Sequence, residues 1–198
     1  MVSKGNKVVV VGAGLMGTGI AHAFASSGFV IDLVDTSETA LEKARIAIES
    51  IIDGGVERGK ISSTDAQSAK QNLSVSTNLG QSANGATLLV ETVSENLAIK
   101  QAVIREADAL SVTEIATAAS APENGIGMHF FNPVHQMKMV ELVLGLATNE
   151  ATIAATRQWC NALGKTSILV NETPGLTTSR MSAMLGNEAM WMLQEGTA

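Results

Sequence analysis

Val8-Val-Val-Val11-Gly12-Ala-Gly14-Leu15-Met16-Gly17 is the stretch that decides the fold. A β-branched run favours a strand. Here the run stops at Gly-x-Gly-x-x-Gly, and an apolar, helix-compatible stretch follows from Thr18 to Ser27. Each glycine has its own reason. Gly12 allows a tight turn off the strand, Gly14 lets a pyrophosphate approach the backbone, and Gly17 lets the helix pack closely on the sheet. Leu15 and Met16, between the last two glycines, count with the loop as cofactor contacts. The helix N-terminus offers free N–H groups and a partial positive charge to phosphates.

The motif alone is weak, since many loops are glycine-rich. Its setting strengthens it. A second strand, Phe29-Val-Ile-Asp-Leu-Val34, ends in Asp35. An acidic residue about 20 positions after the glycines bonds the ribose 2′-hydroxyl and repels a 2′-phosphate. The expected cofactor is therefore NAD rather than NADP. The competing reading is an ordinary βαβ unit with a solvated Asp35.

Composition narrows the class. The chain has 198 residues, 45% hydrophobic and 16% charged, which suits a globular protein with a sizeable core. A net charge of -6 argues against a nucleic-acid partner. The apolar runs are too short to span a bilayer, and the N-terminus carries no apolar signal region. Cytoplasm is the default compartment. One cysteine, Cys160, rules out an internal disulfide and reads as a buried residue. No metal is expected. Nine methionines against four phenylalanines suggest a core filled by flexible side chains.

Along the chain, strand-like and helix-like segments alternate, which implies a mostly parallel sheet flanked by helices. A helix is expected from Glu38 to Ile52, broken by Gly54-Gly55. A polar helix-turn segment follows to Asn72. Strands are expected at 73–77 (an edge), 87–92, 127–131, 139–143 and 167–170. Further helices are expected at 95–110, 150–163 and 176–194, and Ser111-Val-Thr-Glu114 fits a capping box. Asn132-Pro133 turns one strand into the next, and Gly164 closes a helix.

Three stretches together resemble the 3-hydroxyacyl-CoA dehydrogenase family. They are Gly12 to Ala21, Gly127-Met-His-Phe-Phe-Asn-Pro133, and Glu172-Thr-Pro-Gly175 with Arg180. The resemblance implies a Rossmann-like doubly wound domain over 1–173, then the first helix of an all-α domain over 174–198. It implies transfer of hydride from the 3-hydroxyl of an acyl-CoA to NAD. Removing hydride from an alcohol also requires removing its proton, and histidine titrates near working pH. By the family's motif His129 is the base. Glu141, on the adjoining strand, bonds the other imidazole nitrogen and stabilises the imidazolium. Taken alone, His129 reads as a satisfied core histidine and Glu141 as a strand-edge carboxylate. Asn132, Glu95 and Lys100 match family positions that contact the cofactor. Otherwise they read as a turn asparagine and a pair of solvated helix charges. His22 and His135 match no catalytic position. Arg58, Lys60 and Lys70 face solvent as readily as they would meet a coenzyme phosphate.

The chain departs from the family in three places. Between Glu95 and His129, members carry a central strand ending in a serine-rich sequence. Here Arg105 to Leu110 runs straight into Ser111, a loss of about a dozen residues, or one strand plus a loop. The flanking strands close up and pair, or the fold is compromised, or the strand belongs to residues this sequence lacks. Second, members continue past Ala198 into a helical domain that dimerises, so a homo-oligomer is expected of the full-length form. Met181, Met184, Leu185, Met190, Trp191 and Leu193 would be partly uncovered. Third, Ser179 stands where many members have a substrate-binding asparagine, and a hydroxyl still donates one hydrogen bond. The alternative to a dehydrogenase is a catalytically impaired NAD-binding or structural protein on the same scaffold. A related enzyme acting on a β-hydroxy acid without CoA is a third reading.

Overall fold

Four consecutive valines at 8–11 are buried on both sides, and this makes β1 (Lys7–Val11) the centre of a parallel sheet. The computed structural model describes residues 2–94, 96–108, 121–173 and 176–197. After β1 come α1 (Leu15–Ser26), β2 (Val30–Val34), α2 (Glu38–Glu57), α3 (Ser63–Gln71), β3 (Leu73–Ser76), α4 (Leu79–Ala83), β4 (Leu88–Glu91) and α5 (Leu97–Asp108). Then follow β5 (Gly127–Phe130), β6 (Met139–Leu144), α6 (Glu150–Ala162), β7 (Thr166–Asn171) and α7 (Leu176–Gln194).

The first sheet has the order β3-β2-β1-β4, with every pairing parallel. The strand period of two sends Val8 and Val10 to one face and Val9 and Val11 to the other. The first pair joins Ile20, Phe24, Leu41, Ile48 and Ile52 of α1 and α2, and the second joins Leu79, Ala83 and Leu89. Helices on both faces confirm the doubly wound α/β class. The second sheet runs β5-β6-β7, antiparallel then parallel. Its Phe130, Val140 and Leu142 share a core with Val8, Val10, Phe24 and Trp159.

Helix starts follow ordinary capping chemistry, worth about 1 kcal/mol each. Ser37, Ser62, Asn78 and Asn149 accept from Ala40, Asp65, Gln81 and Thr152 N–H, and Asn96 accepts from Ala98 N–H in α5. By contrast, α1 opens on Gly14 with no side-chain cap.

Several expectations need correction. Helix α1 starts at Leu15 rather than Thr18, so Gly17 lies in its first turn. Helix α2 runs through Gly54-Gly55 to Glu57. The cost of glycine in a helix, about 1 kcal/mol each, is outweighed because Gly55 is buried against Ile61. The turn comes instead at Gly59, with φ +64. The short α4 was not expected, since Gly-Gln-Ser carries no helical signal. The methionines do not fill the core. Met16, Met128 and Met139 are half-buried, while Met137, Met181, Met184, Met190 and Met192 are exposed. The core is built from valine, isoleucine, leucine, alanine and phenylalanine. The 111–114 capping box lies outside the described residues.

Among the described residues, β4 and β5 do not pair. A cleft of about 480 Å³ lies between them, lined by Leu88 to Glu91 on one side and Gly125 to Met128 on the other.

Candidate active site

The glycine loop is built around Thr92, which follows β4. Its hydroxyl donates to the carbonyls of Val11 (2.9 Å) and Gly12 (3.1 Å). Gly12 has φ +105, and a Cβ there would lie 2.8 Å from Thr92 Oγ1. A Cβ on Gly17 would lie 1.8 Å from the Gly12 carbonyl oxygen. Gly14 differs, since a Cβ there would meet nothing within 4 Å. Its glycine is therefore unexplained by the chain's own packing. An open space at the uncapped N-terminus of α1 fits a phosphate. The first turn of α1 holds no carboxylate to oppose it.

Asp35 sits at the same place. One carboxylate oxygen accepts from Ala13 N–H (2.8 Å) and the other from Ser37 N–H (2.9 Å). It thereby ties the glycine loop to the start of α2, and each oxygen keeps further acceptor capacity. Of the two residues between the glycines, Leu15 is exposed and Met16 half-buried. These residues together fit NAD.

The second cluster joins β5 and β6. The antiparallel register puts His129 directly opposite Glu141, and directly opposed side chains share a face. His129 Nδ1 lies 2.7 Å from Glu141 Oε2. Glu141 is fully buried, while the His129 side chain is 35% exposed, so one partner is locked and the other faces the cleft. The other carboxylate oxygen, Oε1, accepts from Thr178 N–H at 3.1 Å, in the first turn of α7. Burial pushes the Glu141 carboxyl up. The hydrogen bonds from His129 and from the Thr178 backbone N–H, with the charge of His129, outweigh this and hold it below the ordinary carboxylate range. In the neutral imidazole an ionised Glu141 would hold the proton on Nδ1, which would leave Nε2 as the lone-pair nitrogen. The Phe131 ring tilts against the imidazole at 4.7 Å.

A cleft of about 630 Å³ opens at His129, with Lys100, Met128, Val143, Glu172, Thr173 and Leu176 around it. Lys100 thus shares a cleft with the histidine, although its ammonium also bonds both oxygens of Glu91, at 3.0 and 3.2 Å. Asn132 is exposed at the start of the β5–β6 crossover, where its peptide bond to Pro133 is cis. Ser179 is exposed on α7, one residue past the Thr178 N–H that caps Glu141. Glu95 lies outside the described residues.

Sequence reading missed four contributors. Thr178 acts through its main chain, which no residue letter reveals. Thr92 shapes the loop from a separate strand. Glu91, at the end of β4, anchors Lys100. Lys165 is buried although lysine ordinarily marks a surface.

The chain resembles known dehydrogenases along most of its length. It is 34% identical to the probable 3-hydroxybutyryl-CoA dehydrogenase of Bacillus subtilis, over 97% of this chain and 71% of that protein. It is 33% identical to the fatty acid oxidation complex subunit alpha of Pseudomonas putida, over 88% of this chain but 26% of that protein. The crystal structure of (S)-3-hydroxybutyryl-CoA dehydrogenase PaaH1 from Ralstonia eutropha superposes with a TM-score of 0.89 at 33% identity, covering 98% of this chain and 73% of that one. The family model for the NAD-binding domain of 3-hydroxyacyl-CoA dehydrogenases matches residues 7–173. An open Gly14 at an uncapped helix, Asp35 at the loop and a histidine–glutamate dyad on adjoining strands agree with that match, and the chain belongs to the 3-hydroxyacyl-CoA dehydrogenase family, of the NAD-dependent oxidoreductases.

Proposed function

We propose that this chain oxidises L-3-hydroxyacyl-CoA to 3-ketoacyl-CoA, with His129 as the general base and Glu141 as its orienter. The observation that carries the reading is the 2.7 Å contact between His129 Nδ1 and a fully buried Glu141, beside an open cleft. NAD, when bound, supplies the hydride acceptor. The Gly12–Gly17 loop, the N-terminus of α1 and Asp35 would hold it. His129 Nε2 takes the substrate hydroxyl proton. The resulting imidazolium keeps its Nδ1 hydrogen bond to Glu141, whose charge stabilises it in a site of low dielectric. The Thr178 N–H holds the carboxylate from the other side and prevents it from turning away.

The substrate class comes from the relatives' activities together with the cleft. A thioester chain would lie across Met128, Val143 and Leu176 with its 3-hydroxyl at His129. Lys100 and Asn132 would stand toward the cofactor, and Ser179 toward the substrate oxygen. A second reading, an NAD-binding protein without turnover, is favoured by the unpaired β4 and β5 edges among the described residues.

One assay separates them. Oxidation of NADH by acetoacetyl-CoA is measured beside a direct NADH titration on the same protein. Turnover is expected, and His129→Ala should lower it by about 10²- to 10⁴-fold with NADH affinity preserved. Turnover intact in His129→Ala would sink the mechanism. NADH binding without turnover in the unaltered chain would establish the second reading.

A further inference from the structure

We propose that Lys165 is a positioning residue for the His129–Glu141 dyad, its ammonium fastening the 131–138 crossover that joins β5 to β6. The inference rests on the reading of that dyad as the proton-transfer machinery.

Lys165 lies between α6 and β7 and is only 8% exposed. Its Nζ donates to the carbonyls of Val134 and Met137, each at 2.7 Å. It also stands 6.0 Å from the centre of the Phe130 ring. Among the described residues no carboxylate lies within ion-pair distance of it. Its charged surroundings are unfavourable, since His22 of α1 and His135 of the crossover both sense its charge, with Arg58 and Lys60 bearing on His135 from the end of α2. Burial lowers its own pKa, against a smaller opposing effect of Cys160. A buried cation with no carboxylate beside it is costly. What it does in return is specific. It satisfies two crossover carbonyls, while Pro133 O is already taken by Gln136 and Met137 N–H inside the turn.

The crossover is held on its other side by the dinucleotide helix. Val134 is buried against Gly19 of α1, where a Cβ would lie 3.0 Å from Val134 Cγ2. The His135 ring meets that of His22 edge-on at 5.7 Å. The segment therefore sits between the helix that begins at the glycine loop and the two strands that carry the dyad. It begins two residues after His129 and ends three before Glu141. A shift in the crossover is transmitted to both partners, and misplacement of a catalytic group by about 1 Å can cost about 10²-fold in rate.

The test is Lys165→Met, which keeps the length and removes the donors, beside Lys165→Arg, which keeps charge and donors. In the acetoacetyl-CoA assay Lys165→Met should lower kcat about 10- to 100-fold, more than it weakens NADH binding through Asn132, and Lys165→Arg should recover most of the loss. Unchanged kcat overturns the proposal. So does a fall in Tm with full activity in the fraction that remains folded, which marks a merely structural lysine. Should Lys165→Met fail to fold, Lys165→Gln carries the same readouts. If the unaltered chain shows no turnover, the dehydrogenase reading fails separately. Lys165 is then judged on the His129 imidazole NMR signals. A displacement in Lys165→Met in the direction produced by Glu141→Gln supports the positioning role, and unmoved signals overturn it.

Discussion

At the scale of single residues, His22 shows how a buried titratable group sets a limit on acid stability. Its Nε2 meets Ser26 Oγ at 3.3 Å, and its Nδ1 is buried with no hydrogen-bond partner among the described residues. Protonation would place a second N–H where nothing accepts it. Burial first, then the charges of His135 and Lys165, push its pKa down to about 4. The folded value lies below the unfolded one, so the unfolded chain binds more protons between the two. The neutral imidazole's contribution is complete above about pH 6.5 and is lost as pH falls toward 4. One pKa unit is about 1.4 kcal/mol, so the total effect reaches about 3 kcal/mol. Urea unfolding from pH 7.5 to 4.5 should show this loss, and His22→Gln should flatten the slope over that window. An identical slope in the variant would assign the acid sensitivity elsewhere. Glu141, with its lowered pKa, adds a loss of the same sign at more acidic pH.

At the scale of elements, the β1–loop–α1 unit separates two uses of glycine. Gly17 is required by the chain itself, because a Cβ would collide with the Gly12 carbonyl. A Cβ on Gly14 would meet nothing within 4 Å, so the proposed cofactor contact is what would require glycine there. Gly17→Ala should therefore cost about 1–3 kcal/mol of stability, read from urea midpoints. Gly14→Ala should leave the midpoint unchanged while weakening NADH binding about tenfold or more, or 1.4 kcal/mol per factor of ten, read by fluorescence titration. Equal effects of both on stability would remove Gly14 as a ligand contact. This loop and Asp35 were legible in the sequence because each depends on residue type at a fixed spacing, whereas the His129–Glu141 pairing was legible only through the family resemblance. The run through Gly54-Gly55 was not legible, since Ile61, a residue beyond the helix, gives Gly55 its burial. Nor was the capping of Glu141 by Thr178, because every residue but proline owns an N–H and only the fold chooses which one is used. Lys165 was missed for a related reason: lysine is almost never fully buried, and the two carbonyls that keep it inside carry no signature.

At the scale of the whole molecule, β4 and β5 do not pair among the described residues, which raises the question of whether the two sheets unfold together. The packing answers that they do. Trp159 of α6, 4% exposed, meets Phe29 at 5.1 Å and Phe24 at 6.0 Å between ring centres. Phe24 belongs to α1 and Phe29 leads into β2, so an aromatic cluster from the first sheet's layer reaches into the second. The same core runs on from Val8 and Ile31 to Val140, Leu142 and Cys160. Pulling the sheets apart would expose that surface, and burial of each large apolar side chain is worth about 1.5–3 kcal/mol. Trp159 also lines the cleft between β4 and β5. Trp191, 50% exposed on α7, can be changed to phenylalanine so that Trp159 alone reports by fluorescence. In Trp191→Phe, urea unfolding followed by Trp159 fluorescence and by far-UV circular dichroism should coincide in a single transition. Trp159→Ala should lower stability by about 3–5 kcal/mol and shift the whole circular dichroism transition. An early loss of Trp159 fluorescence, with most of the dichroism retained, would mean that the second sheet detaches while the dinucleotide half stays folded. In that case the dyad would be lost before the cofactor site, and activity in urea would vanish ahead of NADH binding.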